Sequence, residues 1–173
     1  AQLTLARSTG LLTEHYDCPV DVTTNENSAL VTAKQSGQQW SFSRAVLACG
    51  HHSIEQSVLS HVPLRPVRGQ VEAIAEHAPL DSLRTVLCHK GYMTPAWQGR
   101  LALGSTYVKE DITCEPRREE SEQNLATHAK AMADYPWAQN IEHDYTARAS
   151  IRMGVADHQP IVGAVTTPDA VSE

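Results

Sequence analysis

The sequence predicts an α+β fold, a mixed and largely antiparallel sheet with a helix packed on one face. Short β-branched or alternating segments recur along the chain with turn signals between them. One stretch, about residues 119–134, carries helical periodicity over several turns. No strand runs through a glycine-rich turn into a helix, as doubly wound α/β sheets require.

Ala1 to Arg7 reads as the tail of a helix, and the end of the chain as a Pro- and Thr-rich linker, so the sequence is expected to be a piece of something larger. Strands are predicted over Asp17 to Val22 and Ala29 to Lys34, joined by the polar loop Thr23 to Asn27. Ser36-Gly37 turns the chain into a third strand, Gln39 to Phe42. Ala45-Val46-Leu47-Ala48-Cys49 is apolar throughout and reads as a buried strand closed by Gly50. A short helix over Ile54 to Leu59 would start at Ser53, with Ile54, Val58 and Leu59 on one face.

Pro63, Pro66 and Gly69 punctuate the chain ahead of a strand from Gln70 to Ala75. Further strands are predicted over Thr85 to His89, Tyr92 to Thr94 and Arg100 to Tyr107, the last two joined by a hairpin turn at Gln98-Gly99. In the last of these, Leu101, Leu103, Ser105 and Tyr107 should share a face. The helix, Glu119 to Asp134, would bury Leu125, Ala129, Met132 and Ala133, with acidic residues in its first turn and Pro136 stopping it. A strand from Asp144 to Arg152 completes the set.

Composition bounds the function. The 173 residues suit one domain with pieces of a second. A net charge of −6 argues against a strong sequence-independent grip on nucleic acid, although a local basic patch stays open. Four scattered cysteines without a C-x-x-C pair suggest reduced thiols in a soluble, cytoplasmic protein, and no apolar run approaches membrane-spanning length. Nine histidines include no H-E-x-x-H and no zinc-ligand spacing, so no metal is expected. Gly104-Ser105-Thr106 lacks the G-x-S-x-G frame of a hydrolase nucleophile, and Cys49 reads as inert packing.

Three positions carry candidate chemistry. Tyr92 emerges after Gly91 at a strand start, as a ligand-binding hydroxyl or a half-buried core tyrosine. Arg152 offers a charged fork to a carboxylate, or pairs with Asp157 or Glu142; by itself the sequence favours the ion pair. Gly50 admits close approach of a cofactor, or merely ends its strand.

Ala45 to Gly50, Pro66-Val67-Arg68-Gly69-Gln70, Gly91-Tyr92-Met93-Thr94-Pro95, Leu101 to Thr106, and Arg152 followed by Asp157, Pro160 and Gly163 occur in this order. Together they resemble the D-amino-acid-oxidase-like FAD-dependent oxidoreductases, which include glycine and sarcosine oxidases. Within that family the likeness is strongest to the flavin-dependent half of bifunctional enzymes acting on the tRNA wobble uridine, over about residues 40 to 165. The resemblance implies that residues 1–62 belong to the FAD-binding domain, 63–150 to the substrate-binding domain and 151–173 to a return segment.

It also implies oxidation of a carboxymethylaminomethyl group to an imine, which water hydrolyses to the aminomethyl nucleoside and glyoxylate. Tyr92 and Arg152 would bind the substrate carboxylate, and His89 would take the amine proton. Ala48, Gly50 and His51 would lie against FAD, and tRNA would be the partner, met by a basic patch of Lys90, Arg100, Lys109, Arg117 and Arg118. The sequence lacks G-x-G-x-x-G, so this piece is expected to bind FAD weakly or not at all. The alternatives are a small-molecule amine or amino-acid oxidase and a non-catalytic carboxylate-binding module.

Overall fold

The computed structural model describes residues 2–25, 27–155 and 159–165. These form two compact units, one of residues up to Val62 together with those from Gly163 onward, the other spanning Pro63–Val162.

The first unit begins with a seven-residue helix α1 (Gln2–Ser8), followed by an antiparallel meander of β1 (Val20–Thr24), β2 (Ala29–Ala33) and β3 (Gln39–Phe42). Asn25 shapes the first turn, its Oδ1 accepting from the backbone N of Asn27 and Ser28 at 3.0 and 2.8 Å. Val22, Ala29 and Ala33 are its buried side chains.

Two expectations fail in this unit. Ala45 to Cys49 forms no strand, and Val46 is 91% exposed. An all-apolar strand is stable when neighbours cover both of its edges and faces, and none of the three meander strands pairs with it. The helix expected over Ile54 to Leu59 is two 3-10 turns, Gly50–Glu55 and Ser57–Leu59, with no side-chain cap from Ser53. Gln56 breaks the run in an extended conformation (φ −84°, ψ 117°), and its Nε2 donates to the carbonyl of Val20 at 3.0 Å.

The second unit is built on β4 (Leu64–Ala75), twelve residues long. One edge of β4 pairs with β7 (Arg100–Gly104) and β8 (Val108–Lys109); the other pairs with β9 (Ala147–Val155). Two short strands, β5 (Leu87–Cys88) and β6 (Tyr92–Met93), extend the sheet beyond β7, and every pairing is antiparallel. The expected start at Gln70 is too late, because the strand runs through Pro66. The Pro66 carbonyl accepts from Glu110 N at 3.0 Å, on the β8 edge. In an extended strand a residue's N and O face the same edge, so the missing donor falls beyond the last β8 pair and costs the β9 ladder nothing.

The hairpin at Gln98-Gly99 forms as expected, with φ of +51° and +77° at the two central residues. That is the primed geometry matched to strand twist. The strand after it is shorter than expected. Val71 pairs with Gly104, whereas Arg68 pairs with Val108, so four steps of one chain match three of the other. The extra residue resets the alternation. Leu101 and Leu103 are buried beside Ile74, Leu80 and Met93, whereas Ser105 and Tyr107 are exposed and Thr106 is buried.

Helix α2 (Arg118–Ala131) covers one face of this sheet, and its buried stripe differs from the apolar one expected. Glu120, Ser121, Asn124 and His128 are buried; Leu125 and Ala129 are half-buried, Met132 caps the helix and Ala133 is exposed beyond it. The stripe keeps helical spacing. Its side chains are polar because they meet the polar row Arg68, Gln70 and Glu72 on β4, all at most 2% exposed. Arg68 donates to Glu120 Oε1 (2.9 Å), to Gln70 Oε1 (3.2 Å) and to the carbonyls of Thr113 and Glu115 (2.9 and 2.8 Å). Gln70 Nε2 reaches Ser121 Oγ and the Arg117 carbonyl, and Asn124 Nδ2 reaches Glu72 Oε1 and the Gln70 carbonyl. Thr106 donates to Glu120 Oε2 at 2.5 Å and accepts from Gln70 N at 2.9 Å.

Removing one partner of a sealed charge pair leaves the other charge uncompensated, at a cost of about 3–5 kcal/mol, whereas replacing both with apolar groups is often near neutral. Arg68→Met is therefore expected to lower the unfolding free energy in urea by about 3–5 kcal/mol. Arg68→Met combined with Glu120→Leu should recover most of that loss. A single-variant loss under about 1 kcal/mol, the range of exposed pairs, would mean the pair is solvated.

Candidate functional site

Partners across an antiparallel ladder share a face, so the register assigns every strand residue to one side of the sheet. Gln70 pairs with Ala149 and Arg68 with Ile151, which places these four on the α2 side. Tyr92 pairs with Gly104, Gly104 with Val71, and Val71 with Arg148, forming one row on the opposite, open side. Arg152 pairs with Val67, and Val67 with Lys109, in a second row on that same side. The two rows lie four residues apart along β4, about 13 Å. Tyr92 and Arg152 are thus brought to one face.

Arg152 is exposed, and among the described residues it forms no ion pair. Glu142 leaves it unpaired, and Asp157 lies outside the described residues. Its guanidinium sits 5.9 Å from the centre of the Tyr107 ring, a cation–π contact that orients the charge without neutralising it. Tyr92 is half-buried beside Gly104, which has no side chain to crowd it, and its hydroxyl has no hydrogen-bond partner among the described residues.

Tyr92 owes its position to the turn before it. His89 N donates to the Gly91 carbonyl at 2.9 Å, and Gly91 N donates back to His89 Nδ1 at 3.1 Å. A Cβ on Gly91 would collide with the Gly104 carbonyl, so only glycine permits this approach to β7. His89 Nε2 lies 3.0 Å from His128 Nδ1 of α2. These contacts fix the tautomers. Nδ1 of His89 accepts from an amide, so its proton is on Nε2, which donates to His128 Nδ1. The His128 proton is then on Nε2, which is buried without a partner among the described residues.

His89 is therefore on the helix side of the sheet, with both ring nitrogens engaged, away from the face that holds Tyr92 and Arg152. His128, fully buried against Trp137, is a residue that sequence reasoning missed. No local pattern marks it; only the fold brings it to His89.

In the first unit, Ala48 is exposed and Gly50 opens a 3-10 turn at φ +56°, where a Cβ would meet nothing within 4 Å. His51 follows, half-buried and stacked on His52 with ring centres 4.0 Å apart. Of the expected basic patch, Arg100 pairs with Asp144, Arg117 with Asp111 and Glu120, and Arg118 with Glu122, which corrects that grouping. Lys109 alone of those five lies on the open face without an ion pair among the described residues.

Burial first, and then the charge of His89, holds the His128 pKa down at about 4, below its ordinary 6.5. Between these values the unfolded chain binds the proton and the folded chain does not, so stability falls as pH falls from about 6.5 to about 4. Urea midpoints should drop over this window, and His128→Gln should flatten the drop. An unchanged slope in His128→Gln would place the titration elsewhere.

Three comparisons bear on this arrangement. The family model "FAD dependent oxidoreductase" matches residues 3–171. The protein named tRNA 5-methylaminomethyl-2-thiouridine biosynthesis bifunctional protein MnmC from Pseudoalteromonas atlantica is 47% identical over 120 residues, 69% of this chain and 17% of that protein. The protein of the same name from Shewanella loihica is 34% identical over 179 residues, covering 99% of this chain and 26% of its own length. The chain thus spans about a quarter or less of these relatives. Among solved structures, glycine oxidase from Geobacillus kaustophilus superposes with a TM-score of 0.67 at 19% identity, over 83% of this chain and 38% of that one. Glycine oxidase from Bacillus cereus gives 0.65 at 20% identity, over 84% and 40%. These structural likenesses concern the fold, which is α+β with antiparallel sheets. The family match covers nearly the whole sequence: the chain belongs to the DAO family of FAD-dependent oxidoreductases.

Proposed function

We propose that this chain supplies the carboxylate-binding sheet, and one contact to the cofactor, of an oxidase that removes the carboxymethyl group from 5-carboxymethylaminomethyl(-2-thio)uridine at the tRNA wobble position. The observation that carries the reading is Arg152, an exposed guanidinium that has no counter-ion among the described residues and lies on the same sheet face as Tyr92, whose hydroxyl has no hydrogen-bond partner among them. A substrate with a carboxylate on a secondary amine needs such a fork. The names of the tRNA-modifying relatives supply the nucleoside. A small-molecule amino-acid oxidase needs the same fork and is the second reading, supported by the glycine oxidase fold.

The residues present fit FAD in part. Gly50, with its positive φ and open Cβ position, lets a flat ring approach, and Ala48 and His51 flank it. The pyrophosphate needs a glycine-rich turn leading into a helix N-terminus, and no such turn occurs among the described residues. FAD, when bound, supplies the two-electron oxidation of the C–N bond next to the carboxylate. The residues of this chain bind and orient. Arg152 takes the carboxylate through paired N–H donors, and Tyr92 donates its hydroxyl proton to the same group. Loss of hydride from the CH2 and a proton from the nitrogen leaves a C=N bond. Water adds across it and releases the aminomethyl nucleoside and glyoxylate. His89 acts by position in this reading: joined to His128, it holds the turn that presents Tyr92.

Loss of a desolvated charge-assisted pair costs roughly 2–5 kcal/mol. In the full-length enzyme, Arg152→Ala should therefore raise the KM for substrate at least about 30-fold, with Arg152→Lys recovering part of it. An unaltered KM would make the arginine structural. The 173-residue chain purified by itself should carry no flavin absorbance; stoichiometric flavin would show that the cradle argument is mistaken.

A further inference from the structure

The open face of the sheet in the second unit carries no carboxylate on any of its strands. By register its side chains are Arg65, Val67, Gly69, Val71 and Ala73 on β4, with Arg148, Ser150 and Arg152 on β9. Lys109 on β8, Arg100, Ala102 and Gly104 on β7, and Tyr92 and Cys88 on β6 and β5 complete it. Every charged strand residue there is a cation, in a chain whose net charge is −6. Arg100 is neutralised by Asp144. Arg65, Lys109, Arg148 and Arg152 are exposed and form no ion pair among the described residues.

Three of these cations form a tight group. Lys109 and Arg152 flank Val67 in one row, two strand spacings or about 10 Å apart at Cα. Arg65 lies one row further along β4, opposite Gly154, about 8 Å from each. Gly154 puts no side chain beside Arg65, so the group is open to a ligand. Three like charges this close repel one another, and no carboxylate among the described residues pairs with them. One substrate carboxylate satisfies Arg152 and leaves the other two.

We propose that Arg65 and Lys109 hold backbone phosphates of an RNA strand, next to the nucleotide whose carboxylate Arg152 takes. This rests on the wobble-uridine reading and extends it to the RNA outside the modified nucleoside. The chemistry fits in two ways. An RNA strand brings a fixed series of anions to an exposed cationic cluster, and a free amino acid brings one carboxylate. Arg65 and Lys109 stand on paired strands, so their spacing is set by the ladder before the RNA arrives, and the ordering cost of binding falls.

The test uses the full-length enzyme with Arg65→Gln, Lys109→Gln and the double variant, assayed on two substrates. One is whole tRNA bearing the carboxymethylaminomethyl group; the other is the free nucleoside with the same group. Each variant should raise the tRNA KM about three- to tenfold near physiological salt. Each single variant should also lower the slope of log KM against log salt by about 0.7, the value for one lost phosphate contact on a single strand, and the double variant by about 1.4. kcat on tRNA and both constants on the nucleoside should hold. A salt-dependent wild-type KM for tRNA that both variants leave unchanged overturns the proposal and leaves the wobble-uridine reading standing. Equal losses on tRNA and on nucleoside also overturn it, because the residues would then act on the nucleoside or the fold. A wild-type KM for tRNA no lower than for nucleoside, and independent of salt, removes the RNA reading and the proposal together.

Discussion

The second unit depends on a buried charge. Arg68 is fully enclosed between β4 and α2, with its guanidinium divided among the Glu120 carboxylate, the Gln70 amide and two backbone carbonyls. A guanidinium cannot shed its proton at any working pH, so its burial is tolerated only with partners in place. Those partners come from the loop before α2, from the first turn of α2 and from the strand itself. Glu120 is held in turn by Thr106, and Gln70 by Ser121 and Asn124. An apolar helix face slides over a sheet at little cost. This one has a single position in which its hydrogen bonds close, and that position sets which face of the sheet is covered.

Once α2 is seated, the open face follows. The same seating delivers His128 to His89, which ties the β5–β6 turn down and presents Tyr92 across the sheet on the other side. The close approach of Gly91 to Gly104 makes the turn tight enough for this. Polar burial on one side thus positions a hydroxyl on the other, through three ring nitrogens and one backbone amide.

The local elements were legible in the sequence and the long-range ones were not. The meander, the Gln98-Gly99 hairpin and the existence of α2 are written in neighbouring residues, and all three form. The polar stripe of α2 was hidden because Glu120, Ser121, Asn124 and His128 look like a solvated face until Arg68, Gln70 and Glu72 lie against them. A hint was present, since those three β4 residues alternate at strand spacing and the four helix residues recur at helix spacing. The extra residue near Ser105 was invisible for a similar reason: only the partner strand shows that one residue is surplus, and with it Tyr107 moves to the face of Arg152. Tyr92 and Arg152 were readable as candidates, whereas their common face needed the register of four strands. Ala45 to Cys49 read as a strand by composition, and composition does not supply the neighbours a strand needs.

The division of charge across the sheet bears directly on the role proposed for Arg152. An arginine already matched to an internal carboxylate has little left for a ligand, because the ligand must first displace that partner and leave it unpaired. On this sheet the strand carboxylate, Glu72, lies on the helix side, where Asn124 and Gln70 donate to it. Glu120 of α2 is spent on Arg68 and Thr106 on the same side. On the open side every charged strand residue is a cation, and of these only Arg100 has an ion-pair partner among the described residues. The excess charge there raises the local concentration of anions in a chain that is acidic overall. The polar interface under α2 therefore does two things at once: it fixes the helix on the sheet, and it keeps the carboxylates of β4 and α2 on the far side from Arg152, as the proposed carboxylate site requires.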